Sequence, residues 1–392
     1  MNNALHSANW PRREGLTLLT RALGAENIRW VGGAVRDTLL GADVHDIDCA
    51  TTLTPDVVID KCASAGIRTV PTGIDHGTVT AVLEDGVVEV TTLRLDVATD
   101  GRRATVAFAT DWQDDAARRD FTINALYAHP ETLEISDYFG GLEDLEARRV
   151  RFIGDARERI AEDHLRILRY YRFQARFGAM LDGEAEEACA DMAATLKGLS
   201  RERVADELLR LLALPAPGAT VARMFERGVL RIIVPEACAA HIKALQTLVA
   251  HEADQGVAPD PVRRLAALLP PSPDVAEGVA ARLRLSRAQR ARLVSAAERL
   301  AADSENAKAL AYRIGEPFAV DRLLLLGADT AVLTDWTPPI FPLKGGEIVA
   351  RGVAAGPQVA RILQATERQW VEEGFPPQSR VVQILDTLLN QA

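Results

Sequence analysis

The hydrophobic pattern of the 392-residue chain changes period once, near residue 145, and that change limits what it can fold into. Before it, short apolar runs alternate with turn residues. Ile28 to Val31 reads as a strand that stops at Gly32-Gly33, 34–40 as a helix ending at Gly41, and 45–50 as a second strand. Pro55 opens a helix at a position proline favours. Thr78 to Leu83 and 87–93 are β-rich runs joined by Glu84-Asp85-Gly86, a hairpin signal. The polar stretch 95–111, which holds Asp100-Gly101, reads as a loop. After residue 145, Ala, Leu and Arg recur with the 3.6-residue period of helices, interrupted at 215–218, 270–273 and 338–342. No fixed-period repeat or long low-complexity tract occurs. The length accommodates two or three domains: an α/β head and a long helical portion.

Composition excludes several classes. The apolar (48%) and charged (26%) fractions rule out wholesale disorder. No apolar run approaches the roughly 18 residues of a membrane span. The polar segment 1–11 predicts no secretory signal, which leaves the cytoplasm. Cys49, Cys62, Cys189 and Cys238 lie far apart without a CxxC, so neither a disulfide framework nor a zinc knuckle is expected. A net charge of −10 argues against coating nucleic acid by bulk charge. Two basic islands stand out locally: nine Arg against five acids over 145–176, and six Arg against one Glu over 281–299. Because 40 of the 45 basic residues are Arg, only the position of an Arg relative to other groups carries information.

Five short motifs carry chemistry. Gly32-Gly33, between a strand and a helix, lets backbone approach a phosphate, with Arg36 one turn into the helix; a tight turn needing glycine is the bland alternative. Asp46-Ile47-Asp48 projects two carboxylates from one face of a strand, an oxygen donor set suited to Mg²⁺, although solvated surface pairs look the same. Glu89 breaks an apolar strand; it is a third carboxylate if that strand neighbours the first two, or otherwise an outward-facing residue. Arg118-Arg119-Asp120, leading into an apolar segment with Asn124, suits a triphosphate clamp or a helix-flanking salt bridge. Asp163, Arg166, Arg169 and Arg172 form a polar stripe on one helix, which fits a solvated face of i,i+3 pairs. It also fits base recognition. A carboxylate only accepts hydrogen bonds and a guanidinium only donates, so an Asp–Arg pair matches the pairing edges of cytosine and adenine and mismatches those of uracil and guanine.

The ordered set GGAVRDTLLG, DID, EVTTLR, RRDFTINAL and EDHLRILRYYRF over residues 28–176 resembles the class II CCA-adding enzymes and bacterial poly(A) polymerases, template-independent nucleotidyltransferases. The resemblance implies an α/β head of the polymerase-β-like nucleotidyltransferase fold followed by an all-α neck, body and tail: a catalytic head over 1–145, a neck with the base-reading motif over 146–214, and a tRNA-binding body and tail over 215–392. It implies a two-metal Mg²⁺ site on Asp46 and Asp48, with Glu89 as the third acidic residue. Gly32, Gly33 and Arg36 would hold the triphosphate, and Arg119 would contact the nucleotide. Asp163 and Arg166 would pair with the base, with Arg169 and Arg172 supporting them and contacting phosphate. The segment 199–203 with Glu207 resembles the element that braces the base-reading helix, and 95–111 resembles the loop of members that add a complete CCA. The looser likeness of 343–357 is to the C-terminal region of bacterial members. The partners implied are tRNA, CTP and ATP, with no membrane and no obligate protein partner. Arg282, Arg284, Arg287, Arg290 and Arg292 are candidate RNA-backbone contacts. A poly(A) polymerase or A-adding enzyme is the alternative. The former is expected to carry a basic C-terminal extension, whereas this chain ends Leu388-Leu389-Asn390-Gln391-Ala392.

Overall fold

A computed structural model describes residues 3–44, 46–100, 103–109 and 111–391. The chain divides into two compact units, Met1–Ile233 and Val234–Ala392.

The first unit is built on nine strands: β1 (Ile28–Val31), β2 (Ile47–Thr51), β3 (Arg68–Gly73), β4 (Thr78–Leu83), β5 (Gly86–Thr92), β6 (Arg94–Asp100), β7 (Arg103–Phe108), β8 (Leu126–Ala128) and β9 (Ile135–Asp137). Seven of them form one sheet in the order β3-β4-β5-β2-β1-β8-β9. Within it, β2 and β5 are parallel, and every other pairing is antiparallel. A parallel pair needs a long crossover, here supplied by the helix Pro55–Ser64 together with β3 and β4. The β2–β5 register places Ile47 beside Val88, Asp48 beside Glu89 and Cys49 beside Val90. The four apolar members are buried, so period-two alternation puts the two acids together on the other face. Val31, Ala50, Leu93, Ala116, Tyr127 and Ile153 form a core cluster under the β1–β2–β8 region.

Most local expectations agree with the structure, including β1, the helix Gly33–Leu39, the proline-initiated helix and the β4–β5 hairpin. The stretch 95–111 does not. Instead of a loop it forms a separate two-stranded antiparallel ladder, β6 with β7. A two-stranded ladder satisfies its backbone groups whatever the side chains, so it forms without an apolar pattern that could be read locally. Gly101, Arg102 and Thr110 of this stretch lie outside the described residues, as does His45 at the expected start of β2.

Beyond Gly141–Glu146 every named element among the described residues is a helix. The first unit continues through helices Ala156–Glu162, Arg166–Phe177, Gly183–Asp191, Arg201–Leu212 and Gly218–Glu226. In the second unit, prolines open helices at Pro261, Pro273 and Pro357, as fits a residue without an N–H at a position where none is needed. One core there gathers Leu343, Ile348, Ile362, Trp370, Val371 and Val381. Among the described residues no helix is long and apolar enough to cross a membrane. All four cysteines are free thiols, three of them buried.

Candidate active site

The site starts at the turn after β1. Gly32 adopts φ +70°, ψ −122°, a backbone conformation that side chains other than hydrogen resist. A Cβ placed there would lie 3.6 Å from Arg119 Nη1 and 4.0 Å from Asp48 Oδ2. The missing side chain thus leaves a small hollow between a guanidinium and a carboxylate. Asp46 is exposed immediately before β2, and Asp48 is half-buried on it with Glu89 beside it. Burial foremost, then the negative charges of Glu89 and Asp46, push the Asp48 carboxyl above its ordinary range, while Arg119 and Arg36 pull it down. The donor set is hard oxygen, anionic and incompletely neutralised, which fits a divalent cation. Among the described residues no three His, Cys, Asp or Glu side chains converge closely enough to cage a metal ion.

Arg119 is fixed from behind. Its Nε donates to the Tyr127 hydroxyl at 2.8 Å and its Nη2 to Asp115 Oδ2 at 3.2 Å. The adjacent Arg118 offers its carbonyl to Arg166 Nη2 at 3.1 Å, which ties the start of the helix Arg166–Phe177 to the segment that carries Arg119. Asp163 is not on the helix with Arg166. It follows Ala156–Glu162 with φ −148°, and Arg166 is the first residue of the next helix. The cause is local: Asp163 Oδ1 accepts from the Leu165 N–H at 3.1 Å, a side-chain turn that competes with helical bonding. Its other oxygen accepts from Arg203 at 2.7 Å. Arg166 is held by Glu162 Oε2 and by the carbonyls of Arg159 and Arg118.

A family model described as the poly A polymerase head domain matches residues 28–151, and one described as a probable RNA- and SrmB-binding site of polymerase A matches 178–241. The mouse (Mus musculus) protein named CCA tRNA nucleotidyltransferase 1, mitochondrial, is 37% identical over 387 residues, covering 92% of this chain and 87% of its own. The chain belongs to the CCA tRNA nucleotidyltransferase family. A CCA-adding enzyme of Streptococcus pneumoniae (strain CGSP14) is 43% identical over 199 residues, 50% of this chain and 49% of its own. The crystal structure of Bacillus stearothermophilus CCA-adding enzyme in complex with CTP superposes with a TM-score of 0.77 over 98% of this chain and 99% of its own, at 25% identity. The nucleotidyltransferase head and the mostly helical remainder expected from the motifs are thereby established.

Within this nucleotidyltransferase, several arginines expected to face substrate are engaged by protein. Arg36 is buried: it donates to Asp37 and Asn124, and its guanidinium stacks over Phe177 (4.5 Å) and Phe173 (5.2 Å). Desolvation lowers its pKa despite the adjacent Asp37. Arg169 pairs with Asp120 at 2.6 Å and Arg172 with Glu207 at 2.6 Å. Glu207 and Arg203 both belong to the helix Arg201–Leu212, so the segment expected to brace the base-reading residues contacts them directly. Asp120, which also accepts from Asn124, connects Arg169 to the residue that holds Arg36.

In the second unit three of the six arginines of the basic island pair with acids from other segments. Arg282 pairs with Glu236, Arg290 with Glu277, and Arg292 with Asp260 and Asp321. Arg284 and Arg287 are exposed. Sequence reading missed Asp115, Tyr127 and Glu162. Asp115 precedes Arg118 and Arg119 by helical i,i+3 and i,i+4 steps, a spacing that was available to find it; Tyr127 reaches the site only through sheet pairing.

Proposed function

We propose that this protein completes the 3′ end of tRNA with C, C and A from CTP and ATP, releasing pyrophosphate. The observation that carries the reading is the juxtaposition of Asp48 with Glu89 and the Gly32 turn, in a chain 37% identical to a CCA tRNA nucleotidyltransferase over 92% of its length. We assign the catalytic head to residues 1–145, the neck to 146–214 and the tRNA-binding body and tail to 215–392.

Enzymes of this family generally use divalent cations. Mg²⁺ held by Asp46 and Asp48, with Glu89 alongside, would lower the pKa of the RNA 3′-hydroxyl and neutralise charge on the transferred phosphate. The Gly32-Gly33 turn and Arg119 Nη1 orient the triphosphate. Asp163 accepts from the exocyclic amino group of the incoming base and Arg166 donates to its ring acceptors, so that cytosine and adenine are satisfied while uracil and guanine leave like groups opposed. Arg36, Arg169 and Arg172 act at one remove, keeping the turn and the reading residues in register through Asn124, Asp120 and Glu207. The free thiols suit a reducing compartment, and we assign the cytoplasm.

The test is incorporation. Purified protein with Mg²⁺, tRNA lacking its CCA end and labelled CTP and ATP is expected to add two C and one A and then stop. Addition of A alone, or of A tracts on arbitrary RNA ends, would reassign it as an A-adding enzyme or poly(A) polymerase; no addition at all would reject transferase activity.

A further inference from the structure

Arg119 points a single free edge at the hollow beside Asp48, and the means of holding it there are buried. Asp115 is 1% exposed and Tyr127 fully buried. One carboxylate serves four donors. Asp115 Oδ1 accepts from Arg118 Nε at 2.8 Å and from the backbone N–H of Arg94, the first residue of β6, at 3.3 Å. Arg118 Nη2 approaches the same oxygen at 2.6 Å. Oδ2 accepts from the Tyr127 hydroxyl at 2.6 Å and from Arg119 Nη2 at 3.2 Å. The Tyr127 oxygen in turn accepts from Arg119 Nε at 2.8 Å, which closes a ring of three side chains. Two of the three guanidinium nitrogens are consumed, and Nη1 is left over the Gly32 turn.

We propose that Asp115 and Tyr127 are positioning residues for nucleotide binding, acting through Arg119 on the triphosphate. The inference rests on the nucleotidyl-transfer reading of the site and deepens it. Geometry excludes a generic packing role for the hydroxyl. An arginine restrained only by a carboxylate pivots about that contact, whereas the hydroxyl on Nε fixes the plane of the fork and therefore the direction of Nη1. Burial alone would raise the Asp115 pKa, yet Arg119 and Arg118 outweigh it and hold the carboxyl down at about 2, so the clamp stays charged at any working pH. Because the Gly32 turn lies by the phosphate-facing carboxylates and not by Asp163, the device acts alike on every nucleoside triphosphate.

The experiment compares wild type, Tyr127→Phe, Asp115→Asn and Arg119→Ala. It measures calorimetric affinity for CTP and for ATP with Mg²⁺, and steady-state incorporation into tRNA lacking its CCA end. Tyr127→Phe keeps the buried ring and removes only the hydroxyl. It is expected to weaken binding of both nucleotides about tenfold, the worth of one hydrogen bond to a charged group. KM should rise while kcat changes little, and the preference between CTP and ATP should not change. Combined with Arg119→Ala it should add no further loss, because its effect passes through that arginine. Unchanged affinity in Tyr127→Phe, a loss confined to one nucleotide, or full additivity with Arg119→Ala overturns the proposal. Asp115→Asn is the more disruptive change, and the tyrosine variant decides the question if it fails to fold. Wild-type protein that binds CTP without incorporating it would sink the transfer reading while the affinities still judge the clamp. Wild-type protein that neither binds nor incorporates would overturn both.

Discussion

Two groups of acids, one in each unit, are treated in opposite ways. In the second unit, Glu252 and Asp321 are almost fully buried, and each oxygen meets an arginine: Arg263 and Arg264 on Glu252, Arg263 and Arg292 on Asp321, at 2.5–3.2 Å. In the first unit, Asp48 stands beside Glu89 and near Asp46, with its nearest cations, Arg119 and Arg36, drawn toward other partners. Burying a charge costs several kcal/mol unless it is paired. The second unit meets that cost internally and gains a rigid cluster. The first leaves part of it unmet, and a fold retains such a deficit where something from outside completes it. Compensation, and not residue type, separates the two groups of acids in this molecule.

Substitutions can break this contrast. The largest effect is expected at Asp48. Asp48→Asn should reduce incorporation by at least about 10³-fold, while the ligand-free protein melts at an equal or higher temperature. The sign follows from the raised folded-state pKa: stability is full below the ordinary carboxylate pKa and is lost as pH rises through the higher folded value, so removing the charge removes that loss. Melting curves across pH 4–8 check it, and a variant that melts lower throughout would show that the Asp48 charge is already compensated. Next is Glu252→Gln, which removes a buried carboxylate charge from beside Arg263 and Arg264 and should cost about 3–5 kcal/mol in denaturant unfolding. Transfer per folded molecule should be preserved; a loss below about 1 kcal/mol would mean the cluster is not balanced pair by pair. The smallest effect separates arginines within the basic island. Arg287→Ala should weaken tRNA binding about two- to threefold and flatten its salt dependence by roughly one unit, whereas Arg282→Ala, already paired with Glu236, should leave the salt slope nearly unchanged. Equal slopes for the two variants would remove the distinction.

The order of motifs along the chain was enough to indicate the family and to single out candidate acids at its head. Asp46, Asp48 and the glycine turn were legible because strand alternation and turn chemistry act over two to four residues. Glu89 was legible as a candidate but not as a partner, since its value depends on β5 lying parallel to β2 rather than on any local spacing. Asp163 was misread as helical because the 3.6-residue pattern continues through it, and the Leu165 N–H that it captures breaks the helix with one hydrogen bond.

The ion pairs of the basic island were illegible for the complementary reason. Counting charge along 281–299 leaves out Glu236, Glu277, Asp260 and Asp321, which arrive from other helices. Residue type, period and turn chemistry are short-range properties, so the chain alone determined its class, the change from sheet to helix and the identity of the acids at the head. Which charges end up neutralised depends on groups tens of residues apart meeting at 2.5–3.2 Å. Only the folded arrangement decided that, because compensation between separate elements acts through space and, unlike the i,i+3 and i,i+4 steps from Asp115 to Arg118 and Arg119, has no fixed spacing along the sequence.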